Sequence, residues 1–138
     1  MSKTNTSELD LLKFVFQGVS PSWNAAANLF ASLHAADPGE TGDQSTSEST
    51  YGSYTRVTIS RSTSAWTTSS TTACVNLASI NFPLGTAGAA SPVTYMGIGT
   101  SFSGAGTLLY SGALASQLAV GVGVTPSFDT GSVTITED

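Results

Sequence analysis

Short runs of alternating apolar and polar residues, separated by glycine- and proline-containing turns, recur from Thr55 to the end of the chain. Alternation with a period of two is what a half-buried strand requires. Strands spaced about 8 to 12 residues apart are typical of an antiparallel sandwich or barrel. We therefore predict a mainly β fold, a single-domain β-sandwich that is jelly-roll-like or barrel-like in detail, with a short N-terminal helix. The predicted strands are Thr55–Ser60, Ala65–Thr68, Cys74–Phe82, Val93–Ile98, Thr107–Ser111, Gln117–Val122 and Ser132–Thr136.

The length of 138 residues suits one hydrophobic core, and no linker divides the chain. We predict an N-terminal arm with a helix over residues 1–20 and a β-sandwich domain over residues 21–138. In the strand Thr55–Ser60, Val57 and Ile59 should face the core, with Arg56 and Thr58 on the opposite face.

The segment Ser7–Gln17 is predicted to be the helix. Ser7 can cap it, acidic residues stand in its first turn, and Gly18 can end it. Its apolar side is unusually broad for so short a helix, and either the domain's own sheet or a neighbouring subunit must cover it. Leu9, Leu12 and Phe16 share one face, which Leu11, Phe14 and Val15 widen.

The segment Trp23–Ala35 is ambiguous, because its alanines favour a helix and so short an apolar run also fits a strand. Asp37-Pro38-Gly39 predicts a tight turn, since proline sets the first central dihedral and glycine the left-handed one. The segment Gly42–Gly52 lacks apolar residues until Tyr51, which predicts a mobile loop.

Charge and cysteine content exclude several classes of function. The net charge is −5, and the four cations Lys3, Lys13, Arg56 and Arg61 are too scattered for a basic stripe, so we expect no nucleic-acid partner. One cysteine excludes an intramolecular disulfide and a multi-cysteine zinc site. No leader pattern and no apolar stretch of about 20 residues is seen, so we expect no membrane partner.

Residues able to do chemistry are sparse. His34, the single histidine, is expected to be packed or hydrogen-bonded, and Cys74 to be a buried small hydrophobe; a dyad of the two is the weaker reading. Asp37, Glu40 and Asp43 lack the spacing of a calcium loop and read as a solvated acidic turn. We therefore predict no catalytic residue, no metal and no cofactor, hence not an enzyme.

Six segments lie in a distinctive order along the chain: LLKFVFQG (Leu11–Gly18), ANLFASLHAADPGETG (Ala27–Gly42), YGSYTRVTISR (Tyr51–Arg61) followed by Trp66, SINFP (Ser79–Pro83), Val93–Leu114 and the closing TPSFDTGSVTITED. In this order they resemble a family of small bacteriophage virion structural proteins, often labelled tail-fibre or head-decoration proteins. The same resemblance favours a strand for Asn28–His34. Two departures are Thr55, where many relatives have alanine before the arginine, and the Ser/Thr-rich stretch 67–72.

The resemblance implies a virion component, assembled in the host cytoplasm. We expect a capsid decoration (cement) protein, a homotrimer that binds the major capsid protein and stabilises the assembled head by mass action. Tail, neck or tail-fibre placement is the alternative. The low charge, only 9% of residues, suits a chain that buries surface in an assembly. The candidate assembly contacts are Leu9, Leu12 and Phe16 on the helix and Asp37 and Glu40 on the acidic turn.

Two other classes of function compete with a purely structural role. A carbohydrate-binding module would use exposed aromatic side chains as stacking platforms, and the candidates are Trp23, Trp66, Tyr51 and Tyr54. A depolymerase would need two carboxylates converging across strands, whereas the few acids lie mainly in one loop. Of these two classes, the depolymerase is the one that the sequence disfavours more, because it lacks such a carboxylate pair.

Overall fold

The computed structural model describes residues 1–68 and 72–137 and is mainly β, with 37% strand and 10% helix, as predicted. Residues 69–71 of the Ser/Thr-rich stretch, and Asp138, lie outside the described residues. The elements are β1 (Ser2–Lys3), α1 (Asn5–Gln17), β2 (Asn28–His34), β3 (Val57–Ser60), β4 (Trp66–Thr68), β5 (Ala73–Asn76), β6 (Ile80–Asn81), β7 (Ser91–Gly99), β8 (Leu108–Val120), β9 (Ser127–Phe128) and β10 (Thr134–Thr136).

Every strand pairing in the described ranges is antiparallel. A five-stranded sheet has the order β1-β8-β7-β2-β3, a three-stranded sheet the order β10-β5-β4, and β6 pairs with β9. These sheets stay open, and none closes into a barrel, so the barrel-like alternative is wrong. The core lies where the sheets face each other, and it joins Leu33 and Met96 of the large sheet to Ile80 and Val133.

Two predicted strand boundaries differ from the structure for identifiable reasons. The predicted strand Cys74–Phe82 is split into β5 and β6 at buried Asn76. The Asn76 amide donates to the carbonyls of Ala78 and Asp129 and accepts from the N–H of Val133, so side-chain bonds fix the chain where the β5 ladder ends. Such a local side-chain bond competes with regular pairing.

The predicted strands Thr107–Ser111 and Gln117–Val122 form one strand, β8. Val93 pairs with Leu118, but Tyr95, two residues further, pairs with Ala113, so a bulge absorbs the extra residues of β8. A bulge leaves unpaired residues within one strand and interrupts the alternation. The sequence pattern therefore predicted two separate strands where the backbone forms one continuous strand.

The helix α1 begins two residues before its predicted start. Its N-cap is Thr4, whose hydroxyl accepts from the N–H of Ser7 and donates to the carbonyl of Leu108 on β8. Ser7 was expected to be the cap and is instead the capped residue. Gly18 ends the helix as predicted, in the left-handed conformation at φ 67°. The tertiary contact with β8 selects Thr4 over Ser7.

The loop Gly42–Gly52 is packed against the large sheet, so the prediction of a free mobile loop is wrong. Gln44 and Ser49 are buried, and the Gln44 side-chain oxygen accepts from the N–H of Ser101 at 2.8 Å. A Cβ built on Gly99 would lie 2.2 Å from the Gln44 side chain, so glycine is required there for this packing. Gln44 and Glu48 of the loop have partners inside the fold, whereas the buried hydroxyl of Ser49 has none among the described residues.

Arg56 was expected opposite the core face and is buried instead. Its Nε and Nη2 donate to the two carboxylate oxygens of Glu48 at 2.7 and 2.8 Å. The remaining donors reach the carbonyls of Ser101 and Gly104 at 2.9 and 2.6 Å. Strand β3 starts only at Val57, so the alternation confirmed for Val57, Thr58 and Ile59 does not extend to Arg56.

Replacing Arg56 by leucine should lower the free energy of unfolding by about 3 kcal/mol, because it leaves a largely buried carboxylate unpaired. The double variant R56L/E48Q should recover part of this loss, since the amide keeps an acceptor for Tyr54 without a charge. Urea unfolding of the wild type and both variants measures this. An R56L variant within about 0.5 kcal/mol of wild type would contradict a structural role for the pair.

Candidate assembly surface

The apolar side chains of α1 lie on the outside of the molecule. Leu9 is 50%, Leu12 54% and Phe16 79% exposed, and the remaining apolar residues of the helix are about half exposed. We define the α1 apolar arc as Leu9, Leu11, Leu12, Phe14, Val15 and Phe16. The three helical residues predicted as assembly contacts all belong to it.

The orientation of α1 is the reverse of that of an ordinary surface helix. At 3.6 residues per turn the apolar arc spans about 220°, and Asp10, Lys13 and Gln17 share the remaining stripe. Asp10 and Lys13 are half-buried, while the residues of the arc are exposed. The Asp10 carboxylate accepts from the indole N–H of Trp23 at 2.8 Å, which holds the polar stripe against the returning chain.

The area of the arc is large for an exposed surface. About half of six large apolar side chains amounts to on the order of 500 Å², which is near the upper limit for a typical monomer. Patches of this size mark sites of protein–protein contact. No helix in the described ranges is long and apolar enough to cross a lipid bilayer.

The acidic turn adjoins the start of α1 but not its arc. Asp37 and Glu40 are exposed, and the Asp37 carboxylate accepts from the N–H of Gly39 at 2.8 Å. Gly39 has a φ of 70°, in agreement with the predicted turn. The carbonyl of Glu40 accepts from the N–H of Asn5 at 3.0 Å, so the turn meets the first turn of α1, whereas the arc lies further along.

The two residues weighed as a catalytic dyad lie in different sheets. His34 on β2 is buried; its Nε2 is 2.8 Å from the hydroxyl of Ser32, and its Nδ1 is 2.8 Å from the carbonyl of Thr46. Both ring nitrogens therefore have partners, and the predicted hydrogen-bonded role of His34 is confirmed. Cys74 on β5 is partly buried, and burial raises the pKa of its thiol.

The aromatic residues considered as sugar platforms are mostly engaged within the fold. Tyr51 is 4% exposed and donates to the carbonyl of Pro83. The Tyr54 hydroxyl accepts from the N–H of Leu33 and donates to Glu48, and burial is the main cause of its raised pKa. The Arg61 guanidinium lies 5.5 Å from the ring centroid of Trp23. Trp66 packs against the core.

Sequence reasoning missed a cleft at one end of the sandwich. We call it the open-end cleft; it lies between the five-stranded and three-stranded sheets and has a volume of about 850 Å³. No sequence pattern indicates it, because its walls come from strands distant along the chain, brought together by register. Its lining includes Leu29, Trp66, Cys74, Ile98 and Ile135, with Arg61 and Thr68 among the polar residues around them.

An antiparallel β domain with a strongly apolar exposed helix has the properties of a structural subunit of an assembly. The chain belongs to the family described as Podophage GP4 fiber I protein gp80, whose model matches residues 2–136. This is a family of phage virion structural proteins, so the resemblance stated from the sequence is confirmed and the chain is a virion component. No curated protein matches the chain.

Stability should depend on pH through His34. Burial lowers its pKa in the folded state below the ordinary value, so between the two values the unfolded chain binds more protons. The contribution of neutral His34 is complete above about pH 6.5 and is lost as the pH falls below that value. The slope can reach about 1.4 kcal/mol per pH unit. Unfolding of wild type and His34→Gln between about pH 7.5 and 5 measures the difference. Parallel pH profiles for the two proteins would contradict this assignment.

Proposed function

We propose that this chain is a non-catalytic structural subunit of a phage fibre that assembles by burying the α1 apolar arc against other copies of itself. The observation on which the proposal depends is the exposure of that arc, with Phe16 79% exposed on a helix whose charged stripe faces inward. The description of the matching family names a fibre protein, which favours the fibre over the head.

The energetics support an oligomer. Burying on the order of 500 Å² of apolar surface at about 25 cal/mol per Å² contributes about 12 kcal/mol. Association costs an estimated 4–15 kcal/mol in lost freedom, so one arc on a flat partner is marginal. An assembly in which each chain buries its arc against a complementary apolar surface of another copy adds area to this sum, and a closed oligomer such as a homotrimer repeats the contact in every copy.

The non-catalytic part of the proposal is supported by the surroundings of the two most reactive side chains. His34 uses both ring nitrogens in hydrogen bonds, and the raised pKa of the Cys74 thiol disfavours the nucleophilic thiolate. Within residues 1–68 and 72–137, no three His, Cys, Asp or Glu side chains are placed to hold a metal ion.

Decoration of the head, with the major capsid protein as partner, is the competing placement. Cryo-electron microscopy of intact virions separates the two. Density for this chain on the fibres is the expected result. Density at icosahedral positions over the capsid shell would replace the fibre proposal with the cement alternative. The α1 apolar arc would then be the candidate contact with the capsid.

Replacing Leu12 and Phe16 by glutamate should abolish self-association, because two charges would have to lose their hydration inside the interface. The matched control is T6E/Q17E, which adds the same two charges to the polar stripe of the same helix. Light scattering coupled to size exclusion should find L12E/F16E monomeric and T6E/Q17E oligomeric. Circular dichroism should show both folded, since all four positions are exposed. Oligomers of L12E/F16E as stable as wild type would overturn assembly through α1.

A further inference from the structure

The open-end cleft is an unfilled part of the space between two sheets. Leu29 and Ile98 line it from the five-stranded sheet, and Cys74 and Ile135 from the three-stranded sheet. In the three-stranded sheet Cys74 pairs in register with Ile135 on one side and with Thr68 on the other, so the three side chains share the inner face of that sheet. The main core lies beside the cleft and contains neither Ile98 nor Ile135.

The lining predicts an apolar occupant. Ile98 is fully buried, but Leu29, Cys74 and Ile135 are only partly buried, so filling the cleft would add dispersion contacts and hydrophobic burial for these three side chains. A cavity left by removing one leucine side chain is about 150 Å³, so a cleft of about 850 Å³ that is open to solvent has room for several side chains of a partner. The indole N–H of Trp66, which lines this cleft, has no hydrogen-bond partner among the described residues.

We infer that the open-end cleft receives the α1 apolar arc of a second copy of this chain. Because the arc spans about 220° of the helix, one side of it, which includes Leu9, Leu12 and Phe16, enters the cleft. The helix is about 20 Å long and 10–12 Å across, so its apolar side chains, not its whole cylinder, enter the space between the sheets. This inference rests on the proposed function, because it names the surface that α1 meets.

The two surfaces make a heterologous contact, since the helix of one copy meets the cleft of the next. Such a contact closes into a ring when the rotation between copies allows it and otherwise extends as a filament. A closed ring of three copies is the homotrimer. Docking of the helix buries apolar area of the arc, on the order of 500 Å², together with the smaller apolar wall of the cleft, and a single contact of this size is in the range of weak or transient interfaces.

The test is a mixing experiment with two variants, each lacking one half of the contact. Thr68→Arg places a long cation at the exposed rim of the cleft and leaves α1 intact, and L12E/F16E leaves the cleft intact. Each alone should be monomeric, with self-association weakened at least about tenfold. Mixed together they should form a 1:1 heterodimer, in which the intact helix of T68R enters the intact cleft of L12E/F16E. Native mass spectrometry of the full chains reads the stoichiometry.

The matched control is Thr58→Arg, an exposed threonine of β3 that does not line the cleft; its register partner Phe30 follows the cleft residue Leu29, so position 58 lies on the opposite face of the five-stranded sheet. It should assemble like wild type. Thr72→Arg at another point of the cleft lining serves as a second blocking variant, and thermal unfolding identifies any variant that fails to fold.

The outcomes separate this inference from the proposed function. If T68R and T72R are folded and assemble like wild type while L12E/F16E is monomeric, the cleft is not the surface that receives α1. Assembly would then depend on packing of α1 against α1. Wild-type assembly by L12E/F16E would overturn both. Monomeric single variants that give no heterodimer on mixing would also overturn the inference.

Discussion

The bidentate ion pair between Glu48 and Arg56 is the interaction on which the arrangement of the loops at the β3 edge of the large sheet depends. It joins the loop after β2 to the start of β3, and the other donors of Arg56 fix the carbonyls of Ser101 and Gly104 beyond β7. The Glu48 carboxylate also accepts from Tyr54, whose hydroxyl satisfies a backbone N–H of β2. A buried pair of this kind stabilises only while each group keeps all its partners, because either charge alone is costly. It therefore determines how three separate segments meet at one edge of the sheet.

Three of the four cations take part in internal structure, while large apolar side chains of α1 lie outside. Arg56 is buried, Arg61 donates to the carbonyls of Trp23, Asn24 and Ala26, and Lys3 pairs with Glu137. With charged residues at only 9%, little is left to keep the surface of α1 hydrated. A monomer with such a surface tends to associate, which is a liability in a soluble enzyme and a requirement in an assembly subunit. The distribution of charge thus agrees with the virion family to which the chain belongs.

A chain of contacts within one molecule links the helix to the open-end cleft. Asp10 on α1 accepts from Trp23, Trp23 lies against Arg61, and Arg61 lines the cleft. The two surfaces proposed to meet between copies are therefore held in a defined relation within each copy. A fixed relation between donor and acceptor surfaces is what allows repeated heterologous contacts to close or propagate with one geometry. Flexible attachment of the helix would give a mixture of assemblies.

The sequence alone determined the β class, the turn at Gly39 and the helix stop at Gly18, because local alternation and left-handed dihedrals depend on neighbouring residues. The local pattern left the strand β2 ambiguous, and the family resemblance favoured it. It also identified Leu9, Leu12 and Phe16 as exceptional, since no short helix can hide so broad an apolar side by itself. Tertiary structure decided the rest: the burial of Arg56, the packed loop, the single long β8, and the cleft between the sheets. Each of these depends on which distant segments pair and in what register, and the free energy of burying a charge or leaving a gap is set by those partners, which no local pattern specifies.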